Sequence, residues 1–251
     1  MMSTQSEVAI IVGGGPGISA SCARLFSEQG MRVVVAARDI KKASLTALKD
    51  QLQVFLIECD ASQPSSVRDL FDYVDEVVGT PDLVVHNIDG RTPDVFRKPI
   101  TDVDPELVLQ TLKNSTFSAF LVGQQAAQRM LRTGSDQEHR GSIIFTNASA
   151  AMKGYPLSGA FAAASHGKSG LAQSMARELM PKGIHVAHLP IDAAIGWTQE
   201  DGSRAHRLAG KTVDDNMADP DRIAEIYLQI HRQHRSTWAY EVVLRPWTEN
   251  W

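Results

Sequence analysis

The run Val8-Ala9-Ile10-Ile11-Val12, followed at once by Gly13-Gly14-Gly15-Pro16-Gly17, constrains this chain more than any other segment. A short apolar run stopped by glycines reads as a strand buried on both faces. After it, Ile18, Cys22, Leu25 and Phe26 recur at helical spacing through Gln29, with Gly30 as the stop. Strand, glycine turn and helix together form a corner suited to a pyrophosphate. Glycine lets the backbone approach the ligand, and the helix N-terminus favours negative charge. Pro16 removes one amide donor from that turn.

The alternation continues along the chain. Apolar runs at Met31–Ala37, Val54–Glu58, Leu83–His86, Ser142–Thr146, Ile184–Leu189 and Tyr240–Leu244 read as further strands. Helical patterns lie between them at about Lys42–Leu52, Ser65–Val78, Pro105–Leu131, Phe161–Met180 and Asp221–Gln233. Strands apolar on both faces and separated by helices predict an α/β fold. The expected architecture is a Rossmann-type, doubly wound parallel sheet of about seven strands with helices on both faces.

At 251 residues, with 43% hydrophobic and 22% charged residues, the chain suits a single domain spanning residues 1–251. A net charge of −4 without a long basic block points away from nucleic acid. No apolar run approaches the roughly 20 residues a membrane span needs, so no membrane partner is expected. Cys22 and Cys59 lack metal-ligand spacing, His185 and His188 fall on opposite faces of a strand, and His231 and His234 have no apparent carboxylate or cysteine partner, so no metal site is expected. The polar start and the two unpaired thiols fit a cytoplasmic protein. Residues 195–220 are polar and irregular, a candidate lid over a ligand crevice.

The second strand ends Ala36-Ala37-Arg38-Asp39. Ala37 cannot grip the 2′-hydroxyl of NAD as an acidic residue would, whereas Arg38 suits the 2′-phosphate of NADP. NADP is therefore the expected cofactor, with NAD the weaker alternative.

Taken together, the glycine turn, Asn87 after the fourth strand, Asn114 on the long helix and the run Gly170–Leu179 resemble the short-chain dehydrogenase/reductase family from end to end. The ending Trp238–Trp247 resembles an atypical branch with phenylalanine at the tyrosine position. The resemblance implies hydride transfer between NADP(H) and a small carbonyl or alcohol. It also implies cofactor contacts from Gly13, Gly15, Gly17, Ile18, Arg38, Asp60, Ala61, Asn87 and Ser165. In that family a tyrosine exchanges the proton, a lysine four residues on lowers its pKa, and a serine and an asparagine assist. This register places Phe161 at the tyrosine and Ser165 at the lysine, so both chemical groups are missing. Asn114 and Ser149 fill the other two roles, with Ala148 as the competing alignment for the serine. Tyr155 has the right hydroxyl but no evident neighbouring cation, Lys168 lies one turn too far along, and His166 points away. The candidate catalytic set is therefore Asn114, Ser149 and Tyr155. Two other readings stay open: a non-catalytic dinucleotide-binding sensor or partner subunit, and a non-redox lyase or isomerase. By resemblance, the long helices carrying Asn114 and Phe161 form the contact of a homodimer or homotetramer. Ala119, Ala126, Ala162, Ala164 and Gly167 are candidates for close helix approach there, and Trp247 and Trp251 for packing across the contact.

Overall fold

The computed structural model describes residues 6–133, 139–198, 204–205 and 217–250. Strands β1 (Val8–Val12), β2 (Arg32–Ala37), β3 (Phe55–Glu58), β4 (Leu83–His86), β5 (Gly141–Ala148) and β6 (Ile184–Ile191) form one sheet. Their order is β3-β2-β1-β4-β5-β6 and every pairing is parallel. The helices are α1 (Ile18–Glu28), α2 (Ala43–Leu52), α3 (Pro64–Tyr73), α4 (Pro105–Leu112), α5 (Ser118–Met130), α6 (Gly159–Leu179) and α7 (Pro220–His231). A small antiparallel pair, β7 (Trp197–Thr198) and β8 (Arg204–Ala205), lies in the expected lid segment. Residues 199–203 and 206–216 of that segment, and Trp251, lie outside the described residues.

Side chains that alternate along β1 explain the two layers. Val8, Ile10 and Val12 face a core shared with α3, α5 and α6, while Ala9 and Ile11 face one shared with α1, α2 and α7. The sheet order reverses between β2 and β4, on either side of β1. A crevice therefore opens at the carboxyl ends of those strands, which is where such sheets bind ligands.

The expectation of about seven strands needs correcting to six. Tyr240–Leu244 does run along β6. His188 N donates to the Tyr240 carbonyl, Val242 N to His188, Leu244 N to Pro190, and Asp192 N to Leu244. The donor missing from this ladder is Pro190, which has no N–H, so only isolated parallel bridges at Glu241 and Leu244 survive. Helix α7 also ends earlier than its pattern implied, at His231, so His231 and His234 do not share a helix.

The long pattern 105–131 is helical throughout but not uniformly α. Lys113–Phe117 forms a π turn between α4 and α5, and Asn114 sits in it. Ser118 Oγ donates to the Asn114 carbonyl at 2.6 Å, satisfying an acceptor that the wider turn leaves over. His86 Nε2 lies 2.8 Å from the same Oγ. Because that hydroxyl's proton is committed to a carbonyl, Nε2 carries its own proton and donates. Burial holds His86 well below its ordinary pKa, which agrees with a neutral ring.

Candidate active site

One crevice at the sheet's carboxyl edge brings together most of the expected cofactor residues. Gly13, Gly14, Arg38, Asp60, Ala61, Asn87 and Asn114 all line it, joined by Lys42, Ser62, Ile88, Gly90, Arg91 and Thr92.

The glycine turn divides into two functions. Gly13 has φ +107°, and a Cβ there would lie 2.3 Å from the Asn87 carbonyl oxygen. Its N–H and that of Gly14 both donate to the Ala36 carbonyl, so these amides serve the turn itself. Gly15 is different, because a Cβ there would meet nothing within 4 Å. The protein's own packing does not require glycine at that place, whereas close approach of a ligand would. Helix α1 begins just beyond, after Gly17, with no side-chain cap and no acidic residue in its first turn. Its terminal amides and partial positive charge thus face no competing carboxylate, which suits a pyrophosphate. Ile18 was expected to touch the cofactor; its side chain packs in the core beneath α1 and only its backbone belongs to the turn.

Ser19 joins two loops of the site. Its Oγ donates to the Gly13 carbonyl and accepts from Asn87 Nδ2, each at 2.7 Å. The glycine turn and the loop after β4 are thereby tied together. At the other end of the crevice, Arg38 is exposed and makes no ion pair with Asp39, whose carboxylate instead accepts from the Lys41 amide. Lys42, unnoticed in the sequence, adds a second cation beside it. Asp60 is held by Ser62, whose amide and hydroxyl both donate to Oδ1.

The positions that the sequence register gave to the tyrosine and the lysine lie in a buried region. Phe161 is buried, and the guanidinium carbon of Arg91 lies 4.4 Å from its ring centroid. Ser165 is 1% exposed, and its hydroxyl has no partner among the described residues while its carbonyl accepts from Asn147 Nδ2. Three residues further along α6, Lys168 is equally buried; its Nζ donates to the Ile88 carbonyl at 2.7 Å and to Thr146 at 3.3 Å. Burial pushes its pKa down to about 8, partly opposed by Asp89. Sequence register put Lys168 one turn beyond the useful place. Instead its ammonium reaches inward to the loop that carries Asn87 and Ile88.

Asn147 Nδ2 also faces His188 Nε2 at 2.9 Å, and His188 Nδ1 lies 2.8 Å from Glu241 Oε2. The amide is a donor only, so Nε2 accepts and Nδ1–H donates to Glu241. This buried chain orients the end of β5, from which Ser149 follows in a short 3-10 turn. Ser149 and Tyr155 do not line the crevice as described, and Tyr155 is 42% exposed. The expectation that Tyr155 lacks a neighbouring cation is overturned. Lys153 Nζ lies 6.0 Å from its ring centroid and is anchored 2.9 Å from the buried Asp192 carboxylate, which raises the lysine's pKa.

Sheet order, crevice and glycine turn define a dinucleotide-binding oxidoreductase scaffold, and comparison with known proteins supplies its class. Residues 13–236 match the family described as enoyl-(acyl carrier protein) reductase. The chain belongs to the short-chain dehydrogenase/reductase family. It is 33% identical over 186 residues to (+)-borneol dehydrogenase 1 of Salvia officinalis, covering 72% of this chain and 66% of that one, so it spans about two thirds of that relative's length. A short-chain dehydrogenase structure from Rhodopseudomonas palustris superposes with TM-score 0.78 at 27% identity, covering 96% and 99% of the two chains. A metagenomic short-chain oxidoreductase in complex with NADP shares the fold, with TM-score 0.77 at 22% identity and coverage of 98% and 100%.

Proposed function

We propose that the protein is an NADP(H)-binding oxidoreductase acting on a small carbonyl or alcohol through a site that dispenses with the tyrosine–lysine dyad. The observation that carries this reading is the crevice itself. Arg38 and Lys42 line it together with Gly13 and Gly14, and the same glycine turn continues through the open Gly15 to an uncapped helix N-terminus. In this reading Arg38 and Lys42 hold the 2′-phosphate, the start of α1 holds the pyrophosphate, and Asp60 and Ala61 border the adenine. Asn87, fixed by Ser19, and Ser165 lie toward the ribose end. NADPH, when bound, supplies the hydride. The chain must then bring a proton to the substrate oxygen, and Phe161 has none to give. The donors available are water, the Ser149 hydroxyl, and Tyr155 with Lys153 beside it. Asn114, in its π turn, holds a proton-relay water.

Calorimetry with NADPH and NADH tests the cofactor half of this reading. A 2′-phosphate gripped by charge-assisted bonds is worth about 1.5–3 kcal/mol, so NADPH is expected to bind roughly ten- to a hundredfold more tightly. Arg38→Ala should largely remove that preference, and equal affinities in the parent protein would refute it. NADPH oxidation across a carbonyl panel tests the catalytic half. The second reading, a dinucleotide-binding protein without turnover, is favoured by Phe161 lying buried under Arg91. Tight NADPH binding with no turnover of any carbonyl would decide for it.

A further inference from the structure

Two of the crevice's cationic features have a use in the reading above: Arg38 with Lys42 for one phosphate, and the start of α1 for the pyrophosphate. Arg91 has none. It lies on the loop after β4 and lines the crevice with Asn87, Thr92 and Asn114. Its guanidinium carbon sits 4.4 Å from the Phe161 centroid and 5.0 Å from the Phe96 centroid, so two aromatic rings hold the plane of the fork. The side chain is only 14% exposed. Asp89 Oδ2 accepts from Nη2 at 2.7 Å, but Nε is buried and has no acceptor among the described residues. The hydroxyl of Thr92, beside it in the crevice wall, is likewise buried without a partner. A stacked, largely desolvated guanidinium with an unused Nε donor, next to an unused hydroxyl, matches a planar oxyanion.

We propose that Arg91, with Thr92, is the receptor for an oxyanion of the bound ligand, and that this oxyanion is the carboxylate of the substrate. Resting on the oxidoreductase reading, this makes the substrate class an oxo acid. The carboxylate accepts from the guanidinium and from Thr92, and the carbonyl lies toward Asn114. A phosphate of the dinucleotide has the same chemistry. It is the less fitting source, since Arg38, Lys42 and the α1 N-terminus already provide for the dinucleotide's phosphates.

The test is calorimetric titration with matched pairs: pyruvate and methyl pyruvate, benzoylformate and methyl benzoylformate. Each is titrated with and without saturating NADPH, into the parent protein, Arg91→Met and Arg91→Lys. At least one acid should bind about ten- to a hundredfold more tightly than its ester. Arg91→Met should remove that difference while leaving the ester and NADPH affinities unchanged, and Arg91→Lys, which keeps the charge but not the fork, should restore part of it. Thermal unfolding shows whether each variant is folded; if Arg91→Met is not, the acid–ester difference in the parent and in Arg91→Lys decides. Acids that bind no better than esters, or not at all, overturn the proposal. So does an Arg91→Met protein that loses NADPH affinity instead, which would assign Arg91 to a cofactor phosphate. Loss of the parent reading looks different. The protein would then fail to bind NADPH, yet the acid would still bind the nucleotide-free protein through Arg91.

Discussion

Asn87 donates its side-chain amide to the hydroxyl of Ser19, 68 residues earlier in the chain, at 2.7 Å. That hydroxyl in turn donates a hydrogen bond to the Gly13 carbonyl, so one serine fixes both walls of the crevice where β1 and β4 end. Ser19 is 1% exposed, and removing its hydroxyl takes a partner from a half-buried carbonyl and a half-buried amide. Ser19→Ala should therefore destabilise the fold by about 0.5–1.5 kcal/mol and weaken dinucleotide binding. Asn87→Ala should act on the same bond, so the double variant should cost less than the sum of the singles. Urea unfolding of the four proteins reads this coupling, and strict additivity would mean that the two side chains act independently.

That bond also shows where sequence reading stops. Strands β1 to β6 were legible because runs apolar on both faces have few alternatives in a chain of this size. The glycine turn was legible because it stood between such a run and a helix. Ser19 gave no sign of its part, since its partner comes from a loop far along the chain. Arg91 and Lys42 went unremarked, because an arginine or lysine in a loop has no periodicity to betray what it faces. Lys168 meets a related limit. Position along α6 is given by counting, but the reach of a long side chain to the carbonyls of Ile88 and Thr146 is not.

Lys168 gives a pH signature. Burial holds its pKa at about 8 in the folded protein, below the ordinary lysine value of 10.5, so between those values the unfolded chain binds more protons than the folded one. Stability contributed by this group therefore rises with pH across that window, and below about pH 8 the burial penalty is fully felt. Cys59 and Tyr240 have raised pKa values, through burial first, and pull the other way at alkaline pH. The difference between the parent and Lys168→Met isolates the lysine. That difference should shift in favour of the parent as pH rises from about 8 to about 10.5. A difference flat with pH, measured by urea unfolding, would mean that Lys168 titrates at its ordinary value.

We propose a homodimer or homotetramer, but not through the small residues that the sequence first offered. Ala119, Ala126 and Ala164 are fully buried within the subunit, and Gly167 makes room for Thr116 of the same chain. Among the apolar groups left outside are Leu109, Phe117 and Phe120 of the long helical stretch, at 46%, 40% and 41% exposure, with the two phenylalanine rings stacked on each other. Covering them between subunits would remove each large side chain from water, at about 25 cal/mol per Å² of apolar surface. Light scattering at micromolar concentration should give a dimer or tetramer, and Phe117→Glu with Phe120→Glu should shift it toward monomer. A monomeric parent protein would end this proposal.

Restoring the dyad is less simple than replacing two residues. Phe161→Tyr alone should add little ketone reduction, because its hydroxyl would lack a cation to lower its pKa. Ser165→Lys puts an ammonium where the structure is 1% exposed and one turn from the buried Lys168. Two like charges about 5.5 Å apart repel by roughly 3 kcal/mol at an effective dielectric of about 20, so this single change should destabilise the protein. Adding Lys168→Met removes the competing charge. The triple variant Phe161→Tyr, Ser165→Lys, Lys168→Met should then show the largest gain, about 10²–10⁴-fold over the parent, the usual worth of a placed general acid. The gain should exceed the product of the single effects, because tyrosine and lysine act as one unit. NADPH oxidation with small ketones, at matched fractions of folded protein, measures it. Fast turnover by the parent, unchanged in the triple variant, would locate proton transfer elsewhere. Tyr155→Phe and Lys153→Met would then be the next proteins to assay.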